Sequence, residues 1–205
     1  MARESRPIVK LSRREGYALH PKAHKALVKR SGPPGQRGSY MGRTKSSQYS
    51  LQLREKQKVK RLYGLLERQF AKLMEEASRT RGQSGATLLE FLERRFDNVI
   101  YRAGFAPSRQ AARQLATHGH FFLNGRRVDI PSIRLKAGDK VELRPSSKSN
   151  DYFKQLDELS PSPANLPGWL KVNRKQVSVE VTGAPSREDA EPDIKEQLIV
   201  EYYSR

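Results

Sequence analysis

Residues 94–127 read RRFDNVIYRAGFAPSRQAARQLATHGHFFLNGRR, and their punctuation decides the fold. A helical pattern from Arg94 to Ala103 meets a break at Gly104 to Pro107, because proline does not fit a helix interior. Ser108 can then cap the free N–H groups of a second short helix, and Gly119 is its natural stop. Arg109 and Arg113 lie four residues apart and share one helical face, while Ala112, Leu115 and Ala116 point to another side and can be buried. The His118-Gly119-His120 corner leads into Phe121-Phe122-Leu123. Asn124-Gly125 is the strongest short-range hairpin signal, and it delivers Arg126 and Arg127 just past the turn.

Working outward, charge bounds the partner. The 205 residues carry 40 Lys and Arg against 22 Asp and Glu, a formal net charge of +18, so a polyanion is the expected partner. The excess is uneven: residues 1–61 net +14, residues 62–145 net +6 and residues 146–205 net -2. The first third has the character of an arm that lies along phosphates, and the last third is better suited to touching protein. A mean hydropathy of -0.80 implies that part of the chain stays extended or orders on its partner. There is no cysteine, which excludes disulfides, thiol catalysis and cysteine-ligated zinc. No apolar run has the length of a signal peptide or a membrane span, so a soluble intracellular protein with no membrane partner is expected, in the cytoplasm or, if plastid-encoded, the organelle stroma.

Residues 1–48 alternate basic clusters with breakers. Lys22 to Arg30 could form two turns of helix between Pro21 and Gly32-Pro33, and Tyr17, Leu19, Tyr40 and Tyr49 interleave with the charge as in an RNA-docking arm. Residues 50–79 are helical in period, with Gly64 separating two helices. Within them Arg54 to Arg61 is the densest basic block; one Glu faces five cations, which points to phosphate contact. Thr87-Leu88-Leu89-Glu90 has capping-box spacing for a further helix. After the hairpin come a turn at Lys136 to Lys140, a strand at Val141 to Leu143, an exposed Ser-rich stretch at 145–150 and a short helix over Asp151 to Leu159. A Pro-rich linker, Ser160 to Gly168, precedes strand-like alternation from Trp169 to Val181.

No catalytic constellation converges. His20 and His24 have i, i+4 spacing but no cysteine partner, and make a poor zinc site. Asp97, among Arg94, Arg95 and Arg102, reads as an orienting ion pair. His118 and His120 suit RNA contact and an ordinary polar turn about equally.

The helix, helix, hairpin unit with its arginines resembles the αL RNA-binding module named after bacterial small-subunit ribosomal protein four. That module is shared with pseudouridine synthases and a heat-shock RNA-binding protein. The resemblance to the ribosomal protein four family runs on through LSRREG at 11–16, PPGQ at 33–36, QLREKQKVKRLYGLLERQF at 52–70, RFDNVIYR at 95–102, SRQAARQL at 108–115, LNGRRV at 123–128 and DIKEQLIVEYYSR at 193–205. It implies an α+β fold: a basic, extended arm over residues 1–48, a helical domain over 49–93, the inserted αL module over 94–157, and a β-containing segment over 158–205 that packs back on the helical domain.

For function it implies a non-enzymatic, primary binder of the 5′ domain of small-subunit ribosomal RNA that nucleates assembly of the subunit body. The implied partners are small-subunit proteins three and five, the latter in translational accuracy, and messenger RNA where it enters the subunit. RNA contact is carried over to Arg13, Arg14, Lys56, Lys58, Arg61, Arg94, Arg95, Arg109, Arg113, Gln114 and Asn124, joined by Arg126 and Arg127 beyond the turn. No zinc or other cofactor is expected; many relatives bind zinc through four amino-terminal cysteines that this chain lacks. An RNA-modifying enzyme using the same module is the second reading, disfavoured because residues 146–205 are too few for a synthase domain. Repression of a messenger RNA is a third, and the sequence does not separate it from the first.

Overall fold

The computed structural model describes residues 4, 6–30, 32–35, 47–163 and 165–204. They form two compact units: Met1–Leu88 together with Glu191–Arg205, and Leu89–Ala190.

The first unit is helical. α1 (Ile8–Glu15) ends at Gly16, whose left-handed φ of 64° lets its N–H close on the Ser12 carbonyl. α2 (Ala23–Lys29) and α3 (Gln48–Leu62) both pack with their neighbours through α1. Ser12 is buried between these turns, donating to Ile8 and accepting from the Leu19 N–H. The described part of the arm is therefore folded into two helices rather than extended; Ser31, Gln36 and Tyr40 lie outside the described residues. Gly64, at φ 66°, divides α3 from α4 (Glu67–Arg79) as its position predicts. α10 (Glu196–Tyr203) closes this unit against α3, with Tyr203 tilted on Phe70 and Ile199 buried. The short apolar run Leu198 to Val200 thus lies in a helix, with Ile199 turned inward.

α5 (Ser84–Glu93) starts three residues before the capping-box position. Thr87 Oγ1 bonds back to the Gln83 carbonyl, as a threonine inside a helix does, and caps nothing.

The second unit is built on the pattern of residues 94–127. α6 (Phe96–Arg102) and α7 (Arg109–Thr117) are joined by the 103–108 break, and Ser108 accepts the Ala111 N–H as N-cap. β1 (Phe121–Leu123) and β2 (Arg126–Val128) flank Asn124 and Gly125, both at positive φ (50° and 78°), which is the geometry of a type I′ turn. β3 (Lys140–Leu143), β4 (Leu170–Asn173) and β5 (Ser178–Val181) complete an antiparallel sheet of order β2-β1-β3-β5-β4. The strands after residue 158 therefore extend the module's own sheet, since Val141 pairs with Val179 and Val172 with Val179. Of the 158–205 segment, residues 191–205, with α10, belong to the helical unit. Two short turns, α8 (Asp151–Lys154) and α9 (Leu156–Leu159), lie between β3 and β4.

One face of the sheet and the two helices enclose a core around Phe121. It meets Phe96 and Phe153 edge-on and Phe105 stacked, at centroid distances of 6.1–6.3 Å. The Ser-rich stretch is not wholly exposed: Ser147 is buried and lies 3.0 Å from His120 Nδ1.

Candidate nucleic-acid interface

α7 buries Ala112 and Ala116 and turns Gln110 and Gln114 to solvent. Its two arginines are held from behind by buried polar groups. Arg109 Nε donates to Asn98 Oδ1 at 2.9 Å, and its guanidinium lies 4.6 Å from the centre of the Tyr101 ring. Asn98 in turn donates to Glu93 Oε2 at 2.8 Å, and Glu93, 1% exposed, takes both arms of Arg102 at 2.8 and 2.9 Å. Arg113 reaches Asp97 at 3.4 Å, where Asp97 already forks with Arg95 at 2.9 and 3.1 Å. Burial pushes the Arg113 guanidinium below its ordinary value, against the pull of Asp97. The orienting pair read from Asp97 is present, and Arg95 is its inner half. Arg94 is likewise committed, to the Leu135 carbonyl at 2.7 Å and Glu90 at 2.8 Å.

At the far end of α7 a second cationic group assembles. Gly119 has φ 68°, and a Cβ there would stand 2.8 Å from Arg127 Nε, so the guanidinium of Arg127 packs directly on that glycine. Pairing of Phe121 with Leu143 puts His120 opposite Arg144, whose N–H donates to the His120 carbonyl at 2.8 Å. His118 and His120 have ring centres 6.0 Å apart. Burial, and then the charges of His118 and Arg144, hold the His120 imidazole below its usual value. Arg126 and Arg127 are exposed and have no acidic partner. The same holds for Lys136, Lys148, Lys171 and Lys175, none of which the sequence singles out. Arg144 could have been found from strand register alone.

Asn124 is used internally: its amide donates to Asp139 at 2.9 Å and its oxygen accepts the Lys140 N–H at 2.8 Å, tying the hairpin to the following turn.

In the helical unit the basic block of α3 is partly neutralised, by Glu55 within its window and by Glu15 and Glu67 outside it. Lys56 and Lys60 converge on Glu67 at 2.6 and 2.8 Å, Lys58 pairs with Glu55 at 2.8 Å, and Arg54 and Arg61 both bind Glu15. Lys56, Lys60 and Arg61 are buried, and Lys56 Nζ sits 4.4 Å from the centre of Tyr202. Burial raises the Glu15 carboxyl and lowers the Arg61 guanidinium, so each charge there depends on its partner. Lys56 and Arg61 thus join neighbouring helices, Lys58 bonds the Asp193 carbonyl, and Glu15 and Glu67 offset half of the excess inferred from one Glu against five cations. Arg13 donates to the carbonyls of Gly32 and Pro33, and Arg14 is exposed. The local spacing of His20 and His24 resolves simply, because His20 Nδ1 accepts the Lys22 N–H.

Among the described residues no group of three or more His, Asp or Glu is placed to hold a metal ion, and no helix is long and apolar enough to cross a membrane.

Two helices and a hairpin whose arginines are fixed by buried carboxylates, in a chain that also carries a helical unit closed by α10, have the architecture of an RNA-binding module. Residues 3–93 match the ribosomal protein S4/S9 N-terminal domain and residues 94–141 match the S4 domain. The chain is 50% identical to small ribosomal subunit protein uS4 of Roseiflexus castenholzii, 51% to that of Chloroflexus aurantiacus and 49% to that of Clostridioides difficile, with 100% of each chain covered. It belongs to the small ribosomal subunit protein uS4 family.

Proposed function

We propose that the chain is a primary ribosomal RNA binder: it engages the 5′ domain of small-subunit RNA, nucleates folding of the subunit body, and influences decoding accuracy together with small-subunit protein five. Small-subunit protein three and messenger RNA entering the subunit are its further neighbours, in the cytoplasm, and no zinc or other cofactor takes part. The observation that carries this reading is the sorting of its cations. One set is consumed in buried pairs, whereas Arg14 in the first unit and Arg126 and Arg127 in the second are exposed. A folded RNA junction is recognised by shape and phosphate position, for which fixed guanidinium groups suffice.

The test is a filter-binding titration against the 5′ domain RNA, with an unrelated RNA of equal length as competitor, across a salt series. Tight binding that resists the competitor and weakens steeply with salt is expected. Replacing Arg126 and Arg127 with Ala should lower affinity and reduce the salt slope by about two counterions. Equal affinity for both RNAs would refute specific recognition.

A further inference from the structure

Ser160, Pro161, Pro163 and Asn165 of the Pro-rich segment form a wall. Facing it across an open cavity of about 280 Å³ are Tyr101, Arg102 and Pro107, with Pro161, Pro163 and Asn165 on the Pro-rich side. The cavity lies wholly within the second unit. Its walls are pinned together at the base by a clamp. Arg174 donates to the carbonyls of Gly104 at 3.2 Å, Leu156 at 3.4 Å and Ser160, and pairs with Asp157 at 2.6 Å. Buried Ser160 adds a hydrogen bond to the Gly104 carbonyl at 2.9 Å. At Gly104 a Cβ would stand 2.5 Å from Pro163 Cδ, so only glycine lets the two walls come this close at the base of the slot.

Chemistry selects the occupant. Three prolines and a tyrosine supply flat apolar faces, and prolines offer no N–H. Arg102 is the one cation in the lining, and its charge is already matched by Glu93 in a bidentate pair, which fixes its plane. Among the lining residues themselves a phosphate would find no cation that lacks a carboxylate partner. A flat, neutral group with a hydrogen-bonding edge would find stacking surfaces together with the amide of Asn165. The volume is near the lower end of clefts that hold small molecules, about 300 Å³, and suits one ring system. Position selects the source. Tyr101 carries the Arg109 guanidinium, and Pro107 immediately precedes the cap of α7, so the slot is continuous with the arginine-bearing surface. We infer that this slot receives a single unstacked nucleobase of the bound RNA, splayed out of a loop or bulge as single-stranded bases are in RNA recognition. The inference rests on the RNA-binding reading above and adds a base contact to its phosphate contacts.

The test uses the full chain and 5′ domain RNA substituted with 4-thiouridine or 6-thioguanosine, irradiated in the complex and mapped by mass spectrometry. Cross-links are expected on peptides containing Tyr101 to Pro107 or Pro161 to Asn165. Asn165→Trp, at an exposed rim position, fills the slot without touching the core; it should abolish those cross-links and weaken binding by roughly tenfold, the effect of losing one stacked base. Tyr101→Leu should act in the same direction. The slope of affinity against salt should stay unchanged in Asn165→Trp, because stacking releases no counterions. Steep, specific binding with cross-links elsewhere, or with Asn165→Trp binding as tightly as the parent chain, overturns the nucleobase site and leaves the RNA-binding reading standing. Absence of specific binding by the parent chain overturns both.

Discussion

Glu67 joins α3, α4 and α10 at one carboxylate, and replacing it with Gln tests whether the basic block of α3 is structural. Its oxygens accept Lys56 Nζ at 2.6 Å, Lys60 Nζ at 2.8 Å and the Tyr203 hydroxyl at 3.1 Å. Burial alone would raise this carboxyl, but the two lysine hydrogen bonds outweigh it and hold it at about 2, against 4.5 unperturbed. Taken at face value such a shift is worth about 3 kcal/mol. The Glu67 side chain is 46% exposed, however, so solvent screening reduces the figure to about 1–2 kcal/mol. Glu67→Gln keeps the shape and leaves two buried ammonium groups without a counter-charge, and the expected loss in Tm is about 2–8 °C for a chain of this size. The pH dependence gives the sharper assay. A carboxyl depressed in the folded state stabilises above its unfolded value and ceases to do so as pH falls through its folded value. In urea titrations the gap between parent and variant should be complete at pH 7, shrink below pH 4.5 and close near pH 2. A gap of equal size at pH 7 and pH 3 would refute the electrostatic account, and no gap at pH 7 would remove Glu67 from the fold's support.

Phe121→Ala removes the ring that contacts Phe96, Phe105 and Phe153, and should cost about 3–5 kcal/mol, read as a lower urea midpoint for the second unit. Gly119→Ala meets both a left-handed φ of 68° and the Arg127 guanidinium; it should cost about 1–2 kcal/mol and weaken RNA binding by displacing Arg127, whereas unchanged affinity would separate that arginine from the interface. The depressed imidazoles of His20 and His120 favour their neutral forms in the fold, so stability should decline as pH falls through the ordinary histidine range, and His120→Gln should flatten that decline in a thermal melt series from pH 8 to 5.

What could be read from the sequence was local. The break at Pro107, the cap at Ser108, the Asn124-Gly125 turn and the division at Gly64 depend on backbone requirements of single residues, and each is found in place. What could not be read depended on partners distant in the chain. Arg54 to Arg61 looked unneutralised because Glu15 and Glu67 lie outside any window centred on it. Strands β4 and β5 have ordinary alternation, but nothing local says that β5 will pair with β3. Leu198 to Val200 is too short a run to separate helix from strand, and only packing on α3 settles it. In the interface, residue type pointed to arginines, yet separating displayed from committed ones required the positions of Glu93, Asp97 and Glu90.

If α7 faces RNA as proposed, that separation has a physical consequence for recognition. A long arginine free in solvent loses about 2 kcal/mol of rotamer freedom when it is fixed on a phosphate. Arg109 is already tied at Nε by Asn98 and backed by Tyr101, and Arg113 is tied by Asp97, so much of that ordering is complete before RNA arrives. The buried acids that reduce the net charge of the module thereby make its remaining charge more selective. A flexible basic surface would follow any polyanion, whereas arginines held at fixed spacing on α7 favour an RNA whose phosphates already stand in the matching places.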